Sequence, residues 1–237
     1  MAFRKPLNLA YDDRYRGALG YYFHILEERH VPVELLGDRV LDLGAGTGRL
    51  VTLLRRQTGV LVEMDLSLDR LMVASGKAEK DNGVVIICAD GSAMPLKDNT
   101  ISGVVCLGTF EYVHGLSPLL KKIRRLCSDK VLLVFTCYNR RRWLRRSFLG
   151  RLGNKCAEHA LEDIAFELQT NGFCVLSGKS LLLMPRRLFW AVYSLVPWKF
   201  LRDGWVLLCI AIELFLGALP SLKERGQELM VSARVVK

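Results

Sequence analysis

A glycine-rich segment, VLDLGAGTGRL at residues 40–50, constrains the fold of this chain more than any other feature. Its apolar first half is typical of a buried strand, and glycines follow at positions 44, 46 and 48, directly before a helical pattern. Glycine permits a tight turn and a close approach of the backbone to a ligand. Free N–H groups at the start of the helix favour an anionic group. The segment therefore predicts a strand, a ligand-binding turn and a helix.

The core of the chain repeats this order of strand and helix. Apolar runs rich in β-branched residues predict strands at 39–43, 61–65, 84–89, 103–107, 130–136 and 173–176, and an alternating pattern predicts a last strand at 227–237. Helical periodicity covers 49–57, 68–78, 116–126 and 157–170. Strands that alternate with helices form βαβ units, which build a parallel sheet covered by helices on both faces.

Acidic residues stand at the ends of the first three predicted strands. Asp42 is a carboxylate within an apolar run, which is unfavourable unless it meets a partner such as an ammonium group. Asp65 ends the second strand, where a carboxylate suits the two hydroxyls of an unphosphorylated ribose, although Glu63 is a rival for this role. Asp90 can accept a hydrogen bond from an adenine amino group, with Gly91 offering a backbone contact. For each acid, a solvated carboxylate is the alternative interpretation.

The glycine spacing separates two kinds of nucleotide-binding turn. A dinucleotide-binding turn has the spacing G-x-G-x-x-G, whereas this chain has G-x-G-x-G and places Arg49 where the third glycine would stand. A large side chain at that position hinders packing over a pyrophosphate. The spacing therefore disfavours a dinucleotide.

With these motifs, the run from about residue 11 to residue 136 resembles the class I, Rossmann-like S-adenosylmethionine-dependent methyltransferases, most closely their small-molecule and lipid-type subgroup. VLDLGAGTG matches the first motif of that family, EMDLS resembles the second, and ADGSAMPLKDNTISGVVC resembles the region of the third and fourth. The resemblance covers about half of the chain. It implies a doubly wound α/β sheet of seven strands with an antiparallel last strand, which agrees with the strand predicted at 227–237.

The resemblance also implies S-adenosylmethionine as the cofactor. The residues that match the family's cofactor-binding positions are Asp42, Gly44, Ala45, Gly46, Asp65, Leu66, Asp90 and Gly91. The chain departs from the family pattern at three places. Glu63 replaces a glycine of the second motif, Tyr112 replaces a histidine, and Ile101-Ser102 replaces a Phe-Asp pair. The missing aspartate removes a polar contact and leaves open a protein that binds the cofactor without catalysis.

The resemblance to this family implies catalysis by in-line transfer of a methyl group from a sulfonium. In such a reaction, the enzyme mainly positions the substrates and excludes water. A base is needed only when the nucleophile carries a proton that must leave. Candidates follow the fourth strand: Glu111, Tyr112 and His114, of which we select Tyr112 and His114. The alternatives are a helix N-terminal charge for Glu111, a pocket wall for Tyr112 and a solvated loop residue for His114. Tyr11 can close over the cofactor or pack within its own helix.

Residues 181–220 interrupt the pattern with an unusually apolar and aromatic sequence. Three interpretations are a helical lid packed on the core, an attachment to a membrane surface, and a membrane span. Aromatic side chains mixed with arginine and lysine are typical of interfacial helices. A span is disfavoured because residues 205–219 fall short of the about 20 residues that a span needs and include Glu213. We predict a lid that also docks on a bilayer and admits an apolar substrate.

The net charge of +10 is concentrated in one region. Residues 121–155 contain twelve lysines and arginines and one aspartate, so this stretch accounts for the whole excess. Its part at 140–151 can bind anionic lipid headgroups, a substrate pyrophosphate or RNA phosphates. A solvated basic helix is the alternative. Because the sequence shows no added RNA-binding module, we favour lipid, quinone or polyprenyl-linked substrates.

These features predict one methyltransferase domain, 1–237, with four parts. They are an N-terminal helical cap (1–36), a cofactor-binding core (37–180), a helical lid or insertion (181–220) and a final strand (227–237). The helical pattern of the cap covers 11–30 and ends at Pro32, and we expect this helix at one edge of the sheet.

Widely spaced cysteines without a C-x-x-C pair predict reduced thiols and no metal site, and the first residues show no secretory signal. We therefore predict a cytoplasmic enzyme that contacts anionic membranes peripherally. Its predicted reaction is methyl transfer to a small, apolar or lipid-linked acceptor. The alternatives are an RNA methyltransferase that uses residues 140–155 and a non-catalytic cofactor-binding protein.

Overall fold

The computed structural model describes residues 18–79, 81–113, 115–142, 156–183, 186–195, 198–219, 222 and 224–236. In this part of the chain, the strands are β1 Arg39–Leu43, β2 Val60–Asp65, β3 Val84–Cys88, β4 Ile101–Cys106, β5 Cys127–Asn139, β6 Glu158–His159, β7 Phe173–Leu181 and β8 Glu228–Val235. The helices are α1 Ala18–His30, α2 Val51–Leu54, α3 Leu68–Ala78, α4 Leu116–Leu126, α5 Leu161–Thr170, α6 Arg186–Leu195 and α7 Lys199–Ala218. Short 3-10 helices cover Val33–Leu35 and Phe110–Tyr112.

The strands form one sheet in the order β3-β2-β1-β4-β5-β8-β7, and the short β6 pairs with the end of β5. Neighbouring strands among β1 to β5 are parallel, whereas β8 is antiparallel to both β5 and β7. This confirms the predicted Rossmann-like sheet, its antiparallel last strand and the helical insertion before it. The strand order reverses between β1 and β4, and such a reversal opens a crevice at the carboxyl ends of these strands.

Apolar side chains cover both faces of the sheet. One face carries Leu41 and Val104 in a cluster with α4 and α5, and the other carries Val40 and Val105 in a cluster with α1 and α7. Side chains alternate along a strand, so neighbouring residues serve opposite faces. This explains why β1 is a nearly continuous apolar run, as is typical of a parallel strand buried on both sides.

Several element boundaries differ from the sequence prediction, and three of these differences have a visible cause. β7 continues to Leu181 because it pairs with β8 along its length, although its serine, glycine and lysine residues are unusual for a strand. α5 begins at Leu161 because Glu158–His159 pairs with the end of β5. Only Val51–Leu54 of the helix predicted at 49–57 is regular, and the Thr58 hydroxyl donates to the carbonyl of its last residue at 3.0 Å.

Helix α1 packs on a face of the sheet and not at an edge, where the sequence pattern placed it. Tyr22 is buried in the same cluster as Val40. Its hydroxyl donates to a carboxylate oxygen of Glu213 on α7 at 2.7 Å, and the other oxygen of Glu213 accepts from the Leu183 N–H at 2.7 Å. Through Glu213, the insertion thus hydrogen-bonds to α1 on this face of the sheet. Residues 11–17 of the predicted helix lie outside the described residues.

The insertion consists of α6 and α7, which contact each other. The buried side of α7 includes Val206, Cys209, Ile210 and Glu213, spaced as one face of a helix. This side packs against α1 and β7. Among the described helices, none combines the length and the apolar character that crossing a membrane requires.

Candidate functional site

The glycine turn after β1 has the backbone conformation that its sequence predicts. Gly44, Gly46 and Gly48 have φ angles of +80°, +57° and +68°, in the left-handed region that favours glycine. The N–H groups of Gly44 and Ala45 donate to the Met64 carbonyl at 2.7 and 3.1 Å. These bonds join the turn to the end of β2, so the carboxyl ends of the first two strands form one rigid surface.

Two of the glycines are also required by close contacts within the protein. A Cβ atom on Gly44 would lie 2.0 Å from the hydroxyl oxygen of Thr109, and one on Gly48 would lie 2.8 Å from the Cβ atom of Ala74 on α3. From the sequence, the need for glycine at these positions was attributed to the close approach of a ligand, and Thr109 was not identified. The only signal for Thr109 was its place directly after the fourth strand, on the same edge of the sheet.

Asp65 is held against the glycine turn. One carboxylate oxygen accepts the Gly46 N–H at 3.0 Å, and the other accepts the Ser67 N–H at 2.8 Å. A carboxylate can accept about four hydrogen bonds, so it retains capacity for further donors. The neighbouring Leu66 side chain is 71% exposed, which places an apolar surface beside the acid.

Asp90 and Gly91 follow β3 on the same edge. Asp90 is exposed and accepts the Ser92 N–H at 2.6 Å, and hydrogen bonds from Ser92 lower the pKa of this carboxyl. A Cβ atom on Gly91 would lie 3.6 Å from Leu43 and 3.7 Å from Leu119, which is ordinary contact. Asp90 is therefore a fixed, ionised acceptor, whereas no steric need for glycine at position 91 is visible.

Asp42 and Glu63 form a buried pair of carboxyl groups on adjacent strands. They are register partners in the β1–β2 ladder, and their exposed fractions are 3% and 0%. Burial is the largest cause that raises the pKa of each carboxyl, and the Asp42 charge raises that of Glu63 further. In the described part of the chain, neither carboxylate oxygen of Glu63 has a hydrogen-bond partner. Asp65 and Glu63 are the two candidates for binding the ribose hydroxyls, and of these Asp65 forms the hydrogen bond to the glycine turn.

Arg49 turns away from the glycine turn and toward α1. Its guanidinium lies 2.5 Å from a carboxylate oxygen of Glu27 and 3.2 Å from Nδ1 of His24. Burial and, next, the Arg49 charge lower the pKa of His24. Arg49 stands where a dinucleotide-binding turn has its third glycine, and in this chain it joins α1 to the glycine turn. Nothing in the sequence indicated a partner 22 residues away.

The three candidates for a general base lie in the segment after β4, and those that the structure describes differ in their exposure to solvent. Tyr112 is 55% exposed, and His114 lies outside the described residues. Glu111 is only 7% exposed, and its Oε2 atom has no hydrogen-bond partner among the described residues. Burial raises the pKa of Glu111 to about 7. Of the candidates that can be placed, Glu111 is the one that points into the protein.

The described part of the basic run is paired with acids. Arg140, Arg141 and Arg142 lie 2.8, 2.7 and 2.6 Å from carboxylate oxygens of Asp163, Glu162 and Glu158, respectively. These acids lie on α5 and in the strand before it. The sequence shows them 16 to 23 residues after the arginines and gives no sign of the pairing. Residues 143–155, the rest of the run, lie outside the described residues.

The cysteines are dispersed, and all seven are free thiols. Burial raises the pKa of the four buried thiols, which are Cys106, Cys127, Cys137 and Cys209. Such thiols stay protonated near neutral pH and are poor nucleophiles. Within the described residues, no group of His, Cys, Asp and Glu side chains could hold a metal ion.

Comparisons with known proteins agree with this geometry. Residues 41–135 match a family model described as a methyltransferase domain. A malonyl-[acyl-carrier protein] O-methyltransferase of Geobacter sulfurreducens is 26% identical over 135 residues, which cover 52% of this chain and 51% of that protein. A demethylmenaquinone methyltransferase of Corynebacterium urealyticum is 41% identical over 68 residues, or 29% of this chain and 27% of that protein. This chain spans about half the length of the first curated relatives that it matches.

Solved structures share the fold. A chain from the complex between the Haloferax volcanii Trm112 methyltransferase activator and a methyltransferase superposes with a TM-score of 0.68 at 16% identity, covering 100% of both chains. An S-adenosylmethionine-dependent methyltransferase from Mesorhizobium loti gives a TM-score of 0.63 at 19% identity, covering 92% of this chain and all of that one. Together, these comparisons show that residues 41–135 are similar to a methyltransferase domain and that the chain shares its fold with solved methyltransferase structures.

Proposed function

We propose that this chain transfers a methyl group from S-adenosylmethionine to a small, apolar or lipid-linked acceptor at the surface of an anionic membrane. The observation that carries the proposal is an exposed apolar face of α7 beside the sheet edge that bears the glycine turn.

The residues at the carboxyl edge fit S-adenosylmethionine. Asp65 is anchored by two backbone N–H groups and has capacity for the ribose hydroxyls, while the exposed Leu66 offers an apolar surface for the adenine. Asp90 and the backbone of Gly91 would contact the adenine amino edge. The buried carboxyl of Asp42 suits the ammonium of the methionine moiety, since an opposite charge stabilises a buried carboxylate.

The glycine turn completes this assignment. Gly44, Ala45 and Gly46 would lie along the methionine moiety, with their backbone fixed by the bonds to β2. When bound, the sulfonium supplies an already activated methyl group, so the protein's task is to position the acceptor and exclude water.

The outer face of α7 is apolar and exposed. Its members recur at helical spacing opposite the buried side; they are Leu201, Leu207, Leu208, Leu214 and Phe215, with exposed fractions of 42%, 62%, 50%, 36% and 67%. Contiguous apolar patches on a protein surface mark contacts with a partner, a ligand or a membrane. Trp198, at the N-terminus of α7, is 61% exposed, and tryptophan is typical of interfacial helices.

The position of the insertion relates this face to the site. It leaves the sheet after Leu181 and returns at Glu228, and these two residues are register partners. Glu228 also pairs with Tyr138, near the carboxyl end of β5. Because β5 is parallel to β4 and β1, the insertion emerges at the edge that carries the cofactor residues. A bilayer that covers α7 would therefore lie next to the acceptor side of the site.

Charge favours an anionic bilayer as the occupant of this face. The net charge of +10 comes from residues 121–155 and not from α7, and this basic run would attract the protein as a whole to an anionic lipid surface. Arg140, Arg141 and Arg142 already pair with acids of this chain, which reduces the charge that they offer to RNA and to lipid headgroups alike. The names of the relatives, a malonyl-[acyl-carrier protein] O-methyltransferase and a demethylmenaquinone methyltransferase, support a small-molecule acceptor.

The test is transfer of a radiolabelled methyl group from S-adenosylmethionine into a whole-cell extract, followed by separation of lipid, nucleic-acid, protein and aqueous fractions. We expect label in the lipid fraction with the wild-type protein and none above background with the Asp65→Ala variant. Label in the RNA fraction would support the RNA methyltransferase instead. Binding of S-adenosylhomocysteine without labelling of any fraction would indicate the non-catalytic protein.

A further inference from the structure

Glu111 occupies the side of the crevice opposite the nucleotide residues. Asp65 and Asp90 follow β2 and β3, on one side of β1, whereas Glu111 follows β4 on the other side. Thr109 packs over Gly44, so the segment that carries Glu111 lies directly against the glycine turn. The reacting methyl group has to lie between the nucleotide side and the acceptor side. Glu111 thus borders the acceptor side.

The titratable groups around Glu111 do not offset the charge of its carboxylate. The titratable groups that interact with it electrostatically come from α1, β4, β5 and the segment before β6; they are Glu27, Cys106, Cys137, Tyr138 and Cys156. The thiols and the phenol have raised pKa values and are neutral near pH 7. Glu27 is paired with Arg49. Glu228 of β8 acts in turn on Cys137 and Tyr138.

A buried carboxyl with a free oxygen is costly for a fold. Transfer of a polar group into an apolar environment is unfavourable unless a hydrogen bond compensates it. The Oε2 atom has no partner in the described chain, and the carboxyl titrates near neutral pH. A structural role would be served better by an apolar residue of similar size. A carboxyl that changes its protonation state near the working pH is, in contrast, suited to take up a proton.

We propose that Glu111 is the general base of the reaction and that the acceptor therefore presents an acidic hydroxyl, such as a phenol or an enol. This inference rests on the proposed methyl transfer and specifies its acceptor chemistry. A carboxylate acceptor would carry no proton to remove and would make the buried Glu111 unnecessary. An aliphatic alcohol is too weak an acid for a carboxylate base, whereas a phenol ionises near pH 10 in water.

S-adenosylmethionine is consumed and is therefore a second substrate. The acceptor O–H bond breaks, and its proton passes to Oε2 of Glu111. The oxygen electron pair forms the new O–CH3 bond, while the electrons of the S–CH3 bond remain on sulfur, which becomes a neutral thioether. The proton on Glu111 then passes to water when the product leaves.

The experiment compares the wild type with Glu111→Gln and with a matched control, Glu162→Gln, whose side chain is exposed and ion-paired on α5. Methyl transfer to the lipid fraction of a cell extract is measured from mildly acidic to mildly alkaline pH. Infrared difference spectra over the same range follow the C=O stretch of protonated carboxyl groups. Calorimetry with S-adenosylhomocysteine, together with thermal unfolding, reports whether each variant is folded and binds the nucleotide.

We expect the wild type and the control to gain activity as the pH rises through about 7, in step with the loss of a protonated-carboxyl band. Asp42 contributes to the same band, since burial raises its pKa to about 7 as well, so Glu111→Gln should lose the Glu111 component of the band and keep that of Asp42. The variant should also lose the pH dependence of the rate, and the rate should fall by about 10²–10⁴-fold. Its binding of S-adenosylhomocysteine should stay within about twofold of the wild type, because Glu111 lies across the crevice from the residues that hold the nucleotide.

Unchanged transfer by Glu111→Gln, with binding intact, would overturn the role of Glu111 and leave the methyltransferase activity standing. Absence of both transfer and nucleotide binding in all three proteins would contradict the proposed function itself. A glutamine variant that binds the nucleotide and transfers methyl at a lower rate, but with the wild-type pH profile, would also overturn the role of a base.

Discussion

The side chain of Asp65 accepts the backbone N–H of Gly46 at 3.0 Å, which joins the end of β2 to the turn after β1. The bond fixes the carboxylate beside a turn whose other N–H groups bind the Met64 carbonyl. An acid held in this way is preorganised for hydroxyl donors, since it does not lose conformational freedom when they bind.

Replacing Gly44 should destabilise the protein far more than replacing a glycine in open space. Gly44→Ala combines a positive φ angle with a contact against Thr109 that no small shift relieves, so we expect a loss of about 2 kcal/mol or more in the free energy of unfolding. Gly76→Ala on α3 meets nothing within 4 Å and should stabilise by about 0.5–1 kcal/mol. Urea unfolding measures both. Equal effects of the two substitutions would contradict the close packing of the turn.

The buried Glu63 should make the wild-type protein less stable at alkaline pH. Its pKa is raised by burial and by Asp42 on β1, with a smaller opposing effect of Lys77 on α3. A raised carboxyl pKa favours the folded state while the group is protonated, and this contribution is lost as the pH rises above the ordinary value of 4.5. Glu63→Gln cannot ionise, so we expect its stability relative to the wild type to increase from pH 5 to pH 8.

Urea unfolding of Glu63→Gln and of the wild type at the two pH values measures this difference. Glu162→Gln, which removes an exposed acid, serves as the control and should show no such trend. A stability difference between Glu63→Gln and the wild type that is independent of pH would mean that Glu63 is not buried in its protonated form.

The outer face of α7 should bind anionic vesicles. Leu207→Gln combined with Phe215→Gln removes two exposed apolar side chains, each worth about 1.5–3 kcal/mol when fully buried, so we expect at least about tenfold weaker binding. Phe166→Gln on α5, where the side chain is 69% exposed, is the matched control and should bind like the wild type. Co-sedimentation with phosphatidylserine vesicles measures binding. Equal loss in the double variant and in the control would exclude α7 as the contact surface.

The sequence predicted the parallel part of the sheet well because local patterns determine it. α3 at Leu68–Ala78 and α4 at Leu116–Leu126 have the predicted bounds, since helical periodicity and flanking turns coincide there. β7 was predicted too short because its second half owes its strand conformation to pairing with β8 and not to its own residue types.

The site was predicted in part. The acids Asp42, Asp65 and Asp90 were selected as candidates because they stand at the ends of the first three predicted strands, and their role in cofactor binding stays a prediction. The burial of Glu111 was not predicted, since a glutamate after a strand looks like a solvated residue when only the sequence is known. The contact of Thr109 with Gly44 spans 65 residues and depends on the final packing of β1 beside β4. Such long-range contacts leave no periodic signal in the sequence.

Isothermal titration calorimetry with S-adenosylhomocysteine measures whether a nucleotide binds at the carboxyl ends of β1 and β2. We expect a single site in the wild type and in Asp98→Asn, which removes an exposed acid paired with Arg125. Asp65→Asn should bind about 10- to 100-fold more weakly while remaining folded, because hydrogen bonds to a charged group contribute about 1.5–3 kcal/mol. No binding by the wild type, or equal binding by Asp65→Asn, would contradict a nucleotide site at the carboxyl ends of β1 and β2.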